Sequence, residues 1–161
     1  MEATSPRATR EADEHVVVCR LEREHYALEI SVVQEIVRMQ PITEIPGAPA
    51  SVVGVTSFRG HVVSVIDLRR CCGFNASEPT ADTRIIVVAV DGGETYGLIV
   101  DAVTEVLRIP KGDIEPVGAM LGESPILRGI AKLADRLVSL LDLEKVLPQP
   151  AALPEPVQVA A

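Results

Sequence analysis

Tryptophan is absent from this 161-residue chain, and aromatic residues make up only 2% of it. A core without large rings must be built from Val, Ile and Leu within the 47% apolar content, and the β-branched pair favours strands. No apolar run approaches the ~20 residues that a membrane-spanning helix needs. Positive charge is also scarce, with 15 Lys and Arg against 23 Asp and Glu and a net charge of −8. No basic block relieves this balance, which argues against nucleic acid or an anionic membrane as the main partner, and without a long apolar run no direct membrane insertion is expected. The three cysteines, Cys19, Cys71 and Cys72, lack any Cys-x-x-Cys spacing. Their odd number, together with an N-terminus that has no apolar core of a signal peptide, suits a reducing, cytoplasmic setting. The adjacent pair Cys71-Cys72 reads first as small, half-buried residues after a strand, and only second as a redox switch.

What the chain does have is a duplication. Val16-Val-Val-Cys-Arg-Leu21 and Tyr26-Ala-Leu-Glu-Ile30 are answered by Ile86-Val-Val-Ala-Val90 and Tyr96-Gly-Leu-Ile-Val100. A spacing of 70 residues relates Tyr26 to Tyr96, Leu28 to Leu98, Val33 to Val103, Glu35 to Glu105 and Arg38 to Arg108. Further on the spacing is 75, relating Gly54 to Gly129, Ser64 to Ser139, Asp67 to Asp142 and Leu68 to Leu143. Two copies predict a pseudo-symmetric pair rather than an array. Each half alone would bury only roughly 60% of its unfolded surface, so the two are expected to pack as one cooperative unit.

Residues 1–14 read as a disordered arm, and residues 148–161 as a flexible tail rich in Pro and Ala. The folded part is expected over 15–147, with subdomains at about 15–80 and 81–147 and strand exchange between them left open. Short apolar segments bounded by turn residues predict strands. Hairpins are expected around Glu22–His25, Arg59-Gly60 and Asp91–Glu94. Capped helical turns are expected at Ser31, Asp67, Asp101 and Asp142. About five short strands per unit predict an all-β fold of two small barrels, side by side, with short helical turns.

Catalytic and metal patterns are missing. His15, His25 and His61 have no partner at ligand spacing. Asp91-Gly-Gly lacks the Lys and Ser/Thr of a phosphate loop, and Ser57 and Ser64 stand in no nucleophile elbow. Asp67 and Asp142 are explained as helix caps. No metal, cofactor or catalytic residue is expected. The clearest break in the duplication is Arg59-Gly60, which faces Ala134-Asp135 in the second copy. A cation on a tight turn can be a solvated residue or a fork offered to a partner carboxylate, and position alone does not choose.

Five segments resemble the CheW family of bacterial chemotaxis coupling proteins. They are Tyr26-Ala-Leu-Glu-Ile, Val33-Gln-Glu-Ile, Ile45-Pro-Gly-Ala-Pro, Gly54-Val-Thr-Ser-Phe-Arg-Gly with Val65-Ile-Asp-Leu, and Gly97-Leu-Ile-Val-Asp-Ala-Val. The closing Gly129-Ile-Ala-Lys-Leu and Leu140–Leu147 segments fit as well, so the likeness spans 15–147 in order. It implies two SH3-like five-stranded barrels and a non-enzymatic adaptor that joins chemoreceptor cytoplasmic tips to the regulatory domain of the histidine kinase CheA, in membrane-associated arrays. Carried over by motif, it implies receptor contacts at Ile30, Val33, Glu35, Gly54, Arg59 and Gly97. Two positions depart from the family pattern: Phe58 stands where Leu is usual, and Ser64 where many members have Pro.

Two other functions compete with receptor coupling in flagellar chemotaxis. One is an adaptor of the same kind in another chemosensory pathway, serving surface motility or gene regulation. The other is a double barrel that binds a small ligand, which would require a deep pocket with convergent polar groups.

Overall fold

The computed structural model describes residues 13–75, 77–90, 93–117 and 126–148. Nearly all of its regular structure is strand. The first copy supplies β1 (Asp13–Leu21), β2 (Glu24–Glu29), β3 (Val33–Arg38), β4 (Val52–Phe58) and β5 (His61–Asp67). The second supplies β6 (Arg84–Ala89), β7 (Thr95–Val100), β8 (Ala102–Pro110), β9 (Ile114–Glu115), β10 (Leu127–Lys132) and β11 (Leu137–Leu141). Short helices follow β5 (Leu68–Cys71) and β11 (Leu143–Val146).

These strands form two sheets, ordered β8-β1-β2-β11-β10-β9 (sheet A) and β3-β6-β7-β5-β4 (sheet B). Neither sheet follows the sequence boundary near residue 80. The β1–β2 hairpin joins the strands of the second copy, and the β6–β7 hairpin joins those of the first. The exchange is reciprocal, and parallel pairings mark it: Ser139 opposite Tyr26 in sheet A, and Ser64 opposite Tyr96 in sheet B. Those two pairs are the same residue types at duplicated positions.

One bent run of chain supplies both edges of each sheet. In sheet A, β8 and β9 are separated only by the turn Lys111–Asp113. In sheet B, the chain leaving β3 reaches β4 through a bridge between Thr43 and Val55, with N–H···O distances of 2.8 Å in both directions. This approach explains the duplicated glycines. A Cβ on Gly54 would stand 2.2 Å from the Thr43 carbonyl oxygen, and one on Gly129 would stand 2.9 Å from Ile114 Cγ2.

Side-chain alternation sorts the apolar residues into three clusters. Val16, Val18, Ala27, Val138 and Leu140 fill the inside of sheet A, and Val65, Ile85, Val87 and Ile99 the inside of sheet B. Leu21, Leu28, Ile66, Ile86, Val88, Leu98, Val100 and Leu141 fill the space between the sheets. The unbroken run Ile85-Ile86-Val87-Val88 thus serves two clusters in turn, and all four residues are buried.

Three sequence expectations are corrected. The arm is not loose through Glu14, because Asp13 and Glu14 already pair with Pro110 and Ile109 in β1 and β8; residues 1–12 and 149–161 lie outside the described residues. Ser31 caps nothing; it lies inside a single 3-10 turn, Ile30–Val32, whose cap position is Glu29. Asp101 starts no helix, since β8 begins at Ala102. Both links are too short for a helix, because the chain must change sheets within one to three residues.

Candidate protein-interaction site

The β4–β5 hairpin closes with two residues, Arg59 and Gly60, between the paired Phe58 and His61. Their φ angles are +52° and +81°, the signs a type I′ turn requires. Glycine accepts this region freely, whereas a long side chain is uncommon there, and such outliers gather at functional sites. Arg59 Nε donates to Glu35 Oε1 at 3.0 Å, and Nη2 donates to the same oxygen. This ion pair ties β3, one edge of sheet B, to the hairpin at the other edge. The guanidinium also sits over the Phe58 ring, 5.4 Å from its centroid, a cation–π arrangement. Even so, the Arg59 side chain is 69% exposed.

A shallow pocket of about 390 Å³ lies beside it, lined by Gln34, Phe58, Arg59, His61, Val62, Val63, Gly93 and Thr95. Val62 is 73% exposed, the most exposed large apolar residue described. Sequence reading missed Val62, although strand alternation in Val62-Val-Ser-Val-Ile66 points it outward when Val63 and Val65 point in. Gln34 lies just after the turn at Ser31, where a capped helical turn was expected, and was not named as a contact.

Of the residues implied by family resemblance, Glu35 and Arg59 meet directly. Val33 packs against the inter-sheet cluster. Gly54 is buried, held by the close approach of Thr43. Gly97 is buried as well, and a Cβ there would meet Ile85 Cγ2 at 2.8 Å. Ile30 stands apart, lining another cleft with Asp13, His15 and Lys111. Two of the six thus form a surface constellation, and the two glycines shape the sheet beneath it.

A buried polar group joins the sheets. Arg69, 3% exposed, donates from Nε to Asp67 Oδ1 and from Nη2 to Asp67 Oδ2, both at 2.9 Å. Its Nη1 donates to Asp101 Oδ1 at 3.0 Å. The other Asp101 oxygen accepts from the Glu22 backbone N–H at 2.7 Å, within the β1–β2 turn. Asp67 also caps its helix by accepting from Arg69 N at 3.0 Å. Buried charges persist when paired in this way, and removing one partner strands the others.

The cysteines suit packing rather than redox chemistry. Burial pushes the Cys19 and Cys72 thiols up to about 12 and raises Cys71 as well, so the reactive thiolate is scarce at neutral pH. Among the described residues, no three His, Cys, Asp or Glu side chains are grouped to hold a metal ion, and no helix is long and apolar enough to cross a membrane.

A tight exposed turn, a forked ion pair and an apolar neighbour thus stand together on the surface at this end of sheet B. Comparison with known proteins agrees on the lineage: the family model of the CheW-like domain matches residues 15–151. The chain belongs to the CheW-like domain family. It is 33% identical over 135 residues to a chemotaxis protein CheW of Rhizobium meliloti (strain 1021), covering 83% of this chain and 86% of that one. Identity to a chemotaxis protein CheW of Helicobacter pylori (strain ATCC 700392 / 26695) is 38% over 125 residues, or 77% and 75% of the two chains. The crystal structure of the scaffolding protein TtCheW from Thermoanaerobacter tengcongensis superposes with a TM-score of 0.77 at 34% identity, covering 86% of this chain and 94% of that one. The CheW-like family therefore accounts for the all-β class and for the non-enzymatic scaffold.

Proposed function

We propose that this chain is a non-catalytic adaptor that couples chemoreceptors to the histidine kinase CheA. In this reading the Arg59 end of sheet B takes the helical hairpin of a receptor's cytoplasmic tip. One observation carries it: Arg59 is held in a left-handed turn, braced by Glu35 and Phe58, yet left mostly exposed beside the outward Val62. A braced guanidinium loses little entropy when it forks onto a carboxylate. An adjacent apolar residue offers the anchor that a helix-in-groove contact needs. A second surface would bind the regulatory domain of the kinase, and the cytoplasmic adaptor would reach the membrane only through the array.

Sedimentation of receptor arrays with CheA tests the proposal, comparing pellets and kinase activity with and without the chain. The native chain should enter the pellet and raise both kinase recovery and kinase activity. Arg59→Glu should lower receptor affinity about tenfold or more, the loss expected for one charge-assisted contact turned repulsive, while kinase binding stays unchanged and the melting temperature moves by no more than about 4 °C. Unaltered receptor binding in that variant would remove Arg59 from the interface.

A further inference from the structure

Strand β4 lies at one edge of sheet B, and the chain that follows β3 blocks that edge. Thr43 and Val55 exchange backbone hydrogen bonds of 2.8 Å in both directions. Two residues on, the Ser57 carbonyl accepts from Gln40 Nε2 at 2.6 Å. Gln40 Nε2 also donates to Thr56 Oγ1 at 2.9 Å, and that hydroxyl donates in turn to the Pro41 carbonyl at 2.8 Å. With these groups occupied, the edge offers a partner strand no continuous row to pair with. A helix, whose backbone bonds lie within itself, can still dock here through its side chains.

A cavity of about 530 Å³ lies between this segment and the β4–β5 hairpin, lined by Pro41, Val55, Thr56, Ser57 and Val62 among others. The Thr56 hydroxyl and the Gln40 amide are engaged with each other and with the backbone. What the cavity offers a visitor is therefore mainly the aliphatic surface of Pro41, Val55 and Val62. Val62 also lines the pocket beside Arg59, so the two hollows share a wall. Ser57 faces Val62 and Val55 faces Ser64 across the hairpin, which sets the cavity two to four residues behind Arg59. At about 3.3 Å per residue, that is roughly 7–13 Å from the turn.

We propose that this cavity is an anchor subsite for the helix that meets Arg59. It receives an aliphatic side chain that lies seven or eight residues along that helix from the carboxylate bound by the guanidinium. Seven or eight helical residues rise about 10.5–12 Å, within the reach of the cavity, and return to the same helix face. Leu, Ile or Val suits the lining, whereas a charged head would lose its water there without gaining a partner. The subsite rests on the receptor docking proposed for Arg59. Among helices that carry the acid, it selects those with an apolar residue two turns away.

Sedimentation with receptor-bearing membranes, in the absence of kinase, measures the affinity of the full chain and its variants. Val55→Thr and Val62→Thr keep side-chain shape and strand preference while replacing a methyl with a hydroxyl. Each should weaken receptor binding about fivefold, as expected when a hydroxyl is buried without a partner, and Arg59→Glu about tenfold or more. Val55 is partly buried; should its variant fail to fold, Val62, 73% exposed, carries the test by itself. Val106→Thr makes the same change at a residue 50% exposed in sheet A and should leave affinity unchanged. A loss with Arg59→Glu but with neither Val55→Thr nor Val62→Thr would overturn the subsite and leave docking at Arg59 standing. An equal loss with Val106→Thr would overturn it too. No loss with Arg59→Glu would overturn the docking at Arg59, and the subsite with it.

Discussion

Glu35 and Glu105 occupy matching positions 70 residues apart, and each binds an arginine that comes from a different place. In sheet B the partner is Arg59, at the tip of a two-residue turn and 69% exposed. In sheet A it is Arg136, next to β11 after a longer loop and 24% exposed. The same contrast recurs at the junctions of the sheets, where Arg69 is buried between two aspartates and Glu144, at the matching position, borders an open cleft. Duplicated strands and clusters keep the scaffold constant. Turn length and a few charged positions decide which copy holds its cation inside and which leaves it exposed.

The largest effects should fall where the copies are alike. Leu28 and Leu98 are equivalent and both lie in the inter-sheet cluster, so Leu28→Asp and Leu98→Asp should each abolish the cooperative melt, burying a charge with no partner. Survival of either fold would show that the two hairpins are not equally committed to the shared core. Arg69→Ala should cost about 3–5 kcal/mol by denaturant titration, since Asp67 and Asp101 are left without their cation. A smaller loss, near that of an exposed arginine, would erase the distinction drawn at the junctions.

Gly54→Ala should cost about 2–3 kcal/mol, because its Cβ meets the backbone oxygen of Thr43, which has little room to retreat. Gly129→Ala should cost less, as its nearest obstacle is a methyl group on Ile114. Reversal of that order would mean the bend at Thr43 is the softer one.

Alkaline stability tests Cys19, whose equivalent is Ala89. Folding raises its thiol from 9.0 to about 12, chiefly by burial. Between these values the unfolded chain holds fewer protons than the folded one, so stability is full below pH 9 and declines as pH rises toward 12. Cys19→Ala should make that decline shallower by up to about 1.4 kcal/mol per pH unit. An unchanged slope would assign the alkaline limb to Cys72 and Tyr26, both raised to about 12. Smallest of all, Arg59→Glu should shift stability by no more than about 1 kcal/mol, as exposed pairs do. Arg136→Glu should cost more, being the less exposed of the two, and equal losses would remove the contrast between the turns.

Much of this was legible in the residues. Val, Ile and Leu in short segments set the strands, and repeated Tyr, Gly and Asp-Leu positions set two copies of one plan. The Arg59-Gly60 turn was marked by its break with the second copy. Its meaning was not, because the brace depends on Glu35, which lies in a strand at the opposite edge of the sheet. Gly54 and Gly97 entered as contact residues through family resemblance; their close packing against Thr43 and Ile85 appears only once the strands are assembled. Asp101 read as a helix cap because local pattern cannot distinguish a residue that opens a helix from one that carries the chain between sheets.

The order of residues by itself determined an all-β chain with two equivalent halves, an apolar inventory large enough for a shared core, and no catalytic or metal-binding pattern. Those properties follow from side-chain type and spacing along the chain. Tertiary structure alone decided which hairpin belongs to which sheet. Two equivalent copies offer equivalent strand edges, so pairing within a copy and pairing across copies satisfy the same local pattern. The choice is made by contacts between distant residues: the parallel pairs at Tyr26 and Tyr96, the inter-sheet cluster, and the Asp67–Arg69–Asp101 group.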